Sequence, residues 1–138
     1  MRILTVGKTI LSLLTTLVVL SACGGGGTSS SGDGNPLPAK TLSWAAPESY
    51  IDNTSLNPLT ALDGFEIYVN ESGFFADTDT PNAVVSAVDP TTHTLTTSFN
   101  LANLAPYLSK GIAYRVSMRA VAVTGLKSDF SPPASFSF

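Results

Sequence analysis

The chain has 138 residues; the first 22 read as a removable leader and a Gly/Ser-rich stretch follows, which leaves about 100 for folding: enough for one core and too few for two domains. Mean hydropathy is +0.25, but the leader inflates it, and the remainder reads as an ordinary soluble domain. Two of the seven Lys and Arg residues, Arg2 and Lys8, fall in that leader. All ten acids lie beyond Cys23, so the remainder carries a net charge of −5. It lacks the basic patch with which a nucleic-acid binder neutralises phosphates. Cys23 is the single cysteine, which excludes an internal disulfide.

In chain order, residues 1–8 form a short basic start. Residues 9–20, TILSLLTTLVVL, are an apolar run of signal-peptide length, too short for a standard membrane span. Leu20-Ser21-Ala22-Cys23 closes it and resembles the lipobox of bacterial lipoproteins. That chemistry asks for these residue types: small side chains beside the cut, a leucine for an apolar subsite, and a thiol to take the diacylglyceryl group. The resemblance implies a leader over 1–22 and lipidation of Cys23, with membrane attachment through the lipid. Gly24 stands where an inner-membrane retention signal would place Asp, so in a two-membrane cell the expected location is the outer membrane. Residues 23–38 are the lipidated cysteine and a Gly/Ser-rich linker. Such a run buries too little apolar area to order itself, and its end-to-end distance is roughly 20 Å.

From residue 39 the pattern is β. Residues 40–44 place Leu42 and Trp44 on one face. Residues 64–70 alternate, with Phe65, Ile67 and Val69 facing one way and Glu66, Tyr68 and Asn70 the other. Residues 83–88 form a short apolar candidate strand. Residues 92–101 carry Leu95, Phe99 and Leu101 on one parity, shared by His93 at the rim. Residues 113–123 set Tyr114, Val116, Met118, Ala120 and Ala122 against Arg115, Ser117 and Arg119. Residues 130–138 end with Phe136 and Phe138 on one side. Period-two alternation in short segments, broken by Pro, Asn, Asp and Gly clusters, predicts an all-β sandwich of six to seven strands and no helix.

Over residues 39–138 the chain resembles a fibronectin type III domain, an immunoglobulin-like β-sandwich. The resemblance lies in Leu42-Ser43-Trp44 with Pro47, then in the Leu62–Tyr68 run LDGFEIY. It continues through Leu104-Ala105-Pro106, the 114–120 run YRVSMRA and the 125–131 run GLKSDFS. It implies that Trp44 sits in the core between two sheets. It also implies that Tyr114 caps a turn with its hydroxyl bonded to backbone near Leu104–Pro106. The chain departs from the pattern twice. Only residues 35–39 are left for a first strand, and ten residues rather than six separate Leu104 from Tyr114. There is no Arg-Gly-Asp tripeptide, so integrin-type binding does not carry over.

Chemistry-bearing residues are sparse. His93, the only histidine, has no cysteine or second histidine to share a metal, and no serine stands in a G-x-S-x-G elbow. No catalytic residue, metal site or cofactor is expected. The loop acids Glu48, Asp52, Asp63, Asp77, Asp79 and Asp89 read as turn carboxylates, and Asp77-Thr78-Asp79-Thr80 lacks the glycine and distal glutamate of a calcium loop. The outward faces of residues 64–70 and 113–123 are neighbours in the family. They would gather Glu66, Tyr68, Arg115 and Arg119 into a polar platform for a protein or sugar partner, or into ordinary cross-strand pairs. The function expected is a membrane-anchored, non-catalytic binding or spacer module of the envelope, mediating protein interaction or adhesion. The alternative is a carbohydrate-binding accessory module that uses Tyr50, Tyr68 or Tyr107.

Overall fold

The computed structural model describes residues 36–138. The leader, the lipobox residues Leu20, Ser21 and Ala22, the lipidation site Cys23 and most of the linker therefore lie outside the described residues. Among the described residues, no helix is long and apolar enough to cross a membrane.

Among the described residues, six strands form two antiparallel sheets. Strands β1 (Thr41–Ser43) and β4 (Ser98–Asn100) make a two-stranded sheet. The second sheet runs β3 (Ala83–Ser86), β2 (Leu62–Asn70), β5 (Ala113–Ala122), β6 (Ala134–Ser137). One apolar core joins them, with Leu42 and Trp44 from the small sheet and Phe65, Ile67, Tyr114, Val116, Met118 and Phe136 from the large one. Trp44 meets Phe65 edge to face at 5.2 Å. Lys40 reaches from the start of β1 to the Ser137 carbonyl and lies over the Phe138 ring, tying the sheets along one side.

Most expected strands are present but shorter. The 92–101 segment is strand only at its end. Val88 and Leu95 bridge across a tight turn whose Asp89 carboxylate accepts the Thr91 and Thr92 amides. His93 occupies the left-handed region of that turn (φ 55°) and is exposed. The rim-of-core reading of His93 is thus corrected, because the turn reverses the chain before the alternation counted back from Leu95 can apply. Residues 36–40 form no strand, although Leu37 still packs on the core.

Two short helical turns also appear where none was expected. Asn57 caps α1 (Pro58–Ala61) by accepting the Leu59 amide, with proline at the first helical positions. A 3₁₀ turn spans Leu101–Tyr107 and buries Leu101 and Leu104, with Asn100 accepting the Ala102 amide. These caps are one-turn signals, too short for a helical period to register.

The turn before β5 corrects the second expectation drawn from the family. Tyr114 is buried beside Phe136, but its hydroxyl accepts the Ser109 amide at 2.9 Å rather than bonding near Leu104–Pro106. The 3₁₀ turn ends at Tyr107, and the irregular residues 108–112 that follow bring the Ser109 amide within reach of the tyrosine.

Gly64 lies inside β2, where the register with β5 shifts between Leu62 and Gly64. A Cβ there would stand 2.7 Å from the Val85 carbonyl oxygen, so glycine lets β3 approach closely.

Candidate functional site

The outward face of the large sheet is the expected platform. The register sets Glu66 opposite Arg119, Tyr68 opposite Ser117 and Asn70 opposite Arg115. Three of the four expected residues, Glu66, Tyr68 and Arg119, therefore come together. Arg115 does not join them. It lies at the far end of the pair, exposed, with its stem under the Gly73 turn.

The platform is not open. Glu66 and Arg119 are each only 8% exposed, and Tyr68 is 2% exposed. The covering comes from residues 71–80, which follow β2, and from residues 127–130, which follow β5. Phe75 and Phe130 stack at 5.8 Å, and Tyr68 meets Phe130 edge-on at 5.0 Å. The Arg119 guanidinium lies 4.6 Å from the Phe130 ring centre. These rings form a small second cluster, apart from the main core.

Within it Glu66 and Arg119 face each other across the strands, but the direct ion pairs of both are with the covering segments. The Tyr68 hydroxyl donates to Glu66 Oε2 at 2.6 Å, and Lys127 Nζ reaches Glu66 Oε1 at 2.7 Å. Arg119 Nε donates to the Ser128 carbonyl at 2.7 Å, and its terminal nitrogen meets Asp77 Oδ1 at 2.9 Å. Burial works to raise the Glu66 pKa. The bonds from Lys127 and Tyr68, helped by the Lys127 and Arg119 charges, outweigh it, and the carboxyl stays below its ordinary range. Burial, with the Glu66 carboxylate beside it, pushes the Tyr68 hydroxyl well above the usual phenol value, so it remains a donor at any physiological pH. Chemically this is an internally satisfied network that fixes two loops on a sheet.

Sequence reading missed Phe75, Asp77, Lys127, Ser128 and Phe130 as parts of this cluster. One signal was available: the apolar pair Phe74-Phe75 in an otherwise polar loop. Phe75 turns inward, whereas Phe74 is 84% exposed. Of the aromatics considered for sugar stacking, Tyr68 is corrected to a buried residue, Tyr50 is half-buried and Tyr107 is exposed.

The remaining loop acids mostly brace turns. Asp52 accepts the Thr54 amide and hydroxyl, and these bonds hold its pKa below the ordinary value. The two threonine amides do the same for Asp89. Asp79 accepts the Ala76 amide. Among the described residues, no group of three His, Cys, Asp or Glu side chains is placed to hold a metal ion.

Beside the covered platform lies a cleft of about 310 Å³, lined by Tyr68, Val69, Asn70, Phe75, Asp79, Thr80 and Asn82. Only Tyr68 among these was an expected site residue. Compared with family models, with curated proteins and with solved structures, the chain matches none.

Proposed function

We propose that the chain is a lipid-anchored, non-catalytic binding or spacer module of the bacterial cell envelope, built on a fibronectin type III-like sandwich and mediating protein interaction or adhesion. One observation carries this reading: the only cysteine follows Leu20-Ser21-Ala22 at the end of a 12-residue apolar run, with a Gly/Ser-rich tether behind it. The fibronectin type III-like part is supported by the strand order, by the buried Trp44, and by a tyrosine on β5 bonded to the backbone just upstream. The non-catalytic part is supported by the way Glu66, Tyr68 and Arg119 are held by structural partners.

The anchor follows from acyl-chain burial. Each CH₂ contributes roughly 0.8 kcal/mol, one chain holds marginally, and the two chains of a diacylglyceryl group hold durably. On this reading the anchor holds the acidic domain at the outer membrane of a two-membrane cell. The test is Cys23→Ser in the full chain, with labelled palmitate and membrane fractionation. Wild type is expected to take label and stay with membranes, and the variant to lose both. A variant that is processed and retained like wild type would overturn the anchor and the localisation. A carbohydrate-binding accessory role is the second reading, favoured by the cleft beside β2, where Phe75 lies among the polar side chains of Asn70, Asp79, Thr80 and Asn82.

A further inference from the structure

We propose that the cleft between β2 and the 71–80 loop binds one ring of a neutral sugar, an assignment that rests on the carbohydrate-binding reading and gives it a site. The cleft volume, about 310 Å³, lies at the small end of ligand pockets and suits a single ring-sized molecule.

Its walls are set before any ligand arrives. Asn70 Oδ1 accepts the Gly73 amide at 2.6 Å, and Asn70 Nδ2 donates to the Phe74 carbonyl at 2.7 Å. Asp79 Oδ2 accepts the Ala76 amide at 2.8 Å, and the Asp79 amide donates back to the Ala76 carbonyl. Arg119 pins the loop through Asp77, and Phe75 is held by stacking on Phe130. A fixed loop loses little entropy on binding, which favours affinity for a small polar molecule.

The unused polar groups define the ligand. Asn82 Oδ1 is occupied by the Val69 amide at 2.7 Å, so its NH₂ is the part left to donate. Asp79 keeps its second carboxylate oxygen, and Thr80 keeps its hydroxyl. Neither has a protein partner among the described residues. A donor, a carboxylate acceptor and a hydroxyl beside the Phe75 ring match the adjacent hydroxyls and the C–H face of a sugar. The charge narrows the class. No base lines the cleft and Asp79 does, so phosphates and uronic acids are repelled. The acidic rim also suits a lysine side chain, but a lysine would leave the Asn82 NH₂ facing another donor.

The test is NMR titration of the ¹⁵N-labelled full chain with maltose, cellobiose and N,N′-diacetylchitobiose. A glucuronate disaccharide and the peptide Gly-Lys-Gly serve as the anionic and cationic comparisons. At least one neutral disaccharide is expected to shift the 68–82 amides and the Asn82 side-chain NH₂ saturably, with Kd on the order of a millimolar. Phe75→Ala should abolish the shifts, but Phe75 also holds the loop. Asp79→Asn keeps an oxygen for the Ala76 amide, and Thr80→Val removes only an exposed hydroxyl. Each should weaken binding roughly threefold to tenfold with the fold unchanged. Saturable shifts centred on Tyr107 and indifferent to both variants overturn the cleft and leave the carbohydrate reading standing. No saturable shift with any neutral sugar overturns both. Preference for the peptide or the uronide overturns the neutral-sugar assignment.

Discussion

The two faces of the β2–β5 pair are buried to similar degrees by different means. On the inner face Phe65, Ile67, Val116 and Met118 pack against the small sheet, each at most 3% exposed. On the outer face Glu66, Tyr68, Ser117 and Arg119 are 1–8% exposed, and every one carries a polar group. The inner face is held by apolar area, which needs volume and shape but no particular partner. The outer face is held by partners: Lys127, Asp77, the Ser128 and Ser131 carbonyls, and two phenylalanines. A buried polar network of this kind adds little net energy while satisfied and costs much when half broken. The difference therefore lies in how damage spreads. Damage to the inner face lowers the whole fold, whereas damage to the outer face first frees the loop that walls the cleft.

The largest effect should come from the inner face. Trp44 is 5% exposed, and its indole meets Phe65 at the centre of the core. Trp44→Ala is expected to cost about 3–5 kcal/mol, against a total of about 5–15 kcal/mol for a domain of this size. Urea unfolding followed by circular dichroism measures it. As the only tryptophan, Trp44 also reports directly on the native state. Its emission should be blue-shifted in the native chain and move red on unfolding. Native emission like that of free indole in water would sink the core assignment.

The outer face should respond less, and with a pH signature that the inner face lacks. Glu66→Gln keeps the shape and an acceptor for Tyr68 but removes the charge facing Lys127. The expected cost is about 1–2 kcal/mol at neutral pH, reduced because Lys127 is 40% exposed and partly regains water. The sign on pH follows from the depressed Glu66 pKa. The carboxylate's contribution is fully present above the ordinary glutamate value, about 4.3, and is lost as pH falls through the lower folded value. Wild type should therefore lose stability in acid more steeply than Glu66→Gln, and the two curves should converge at low pH. Parallel curves would show that Glu66 does not carry the outer face. Amide exchange in residues 71–80 should quicken in the variant while the β2 and β5 amides stay protected.

The inner face is also the one legible in the sequence. Alternation placed Phe65, Ile67, Val116 and Met118 correctly, because period two in a half-buried strand is a local property. The same alternation marked Glu66, Tyr68 and Arg119 as outward, and they do point outward. It gave no sign that the outward face would be covered, since the cover is set by residues far along the chain: Asp77 lies 42 residues from Arg119, and Lys127 lies 61 from Glu66. Long-range partners of charged side chains leave no periodic trace. The cleft was illegible for the same reason, since Asn82 becomes a wall only by bonding the Val69 amide across the loop. The 92–101 segment misled because its parity assumed an extended backbone, which the left-handed His93 interrupts.

The smallest effect tests where polarity is tolerated on the inner side. Two polar atoms of inward-facing aromatics behave differently there. Trp44 Nε1 is buried with no hydrogen-bond partner among the described residues, whereas the Tyr114 hydroxyl accepts the Ser109 amide at 2.9 Å. Tyr114→Phe keeps the ring against Phe136 and removes only that acceptor. The Ser109 amide would then turn to water, because Ser109 is exposed, so the full penalty of a buried orphan is avoided. The expected loss is about 0.5–1.5 kcal/mol, the net worth of one ordinary hydrogen bond. It reads as a lower urea midpoint with an unchanged slope. An unchanged midpoint would mean that the ring alone holds the turn. A loss as large as that of Trp44→Ala would mean that the hydroxyl organises the whole 3₁₀ segment from Leu101 onward, and the inner face would then depend on specific partners as the outer face does.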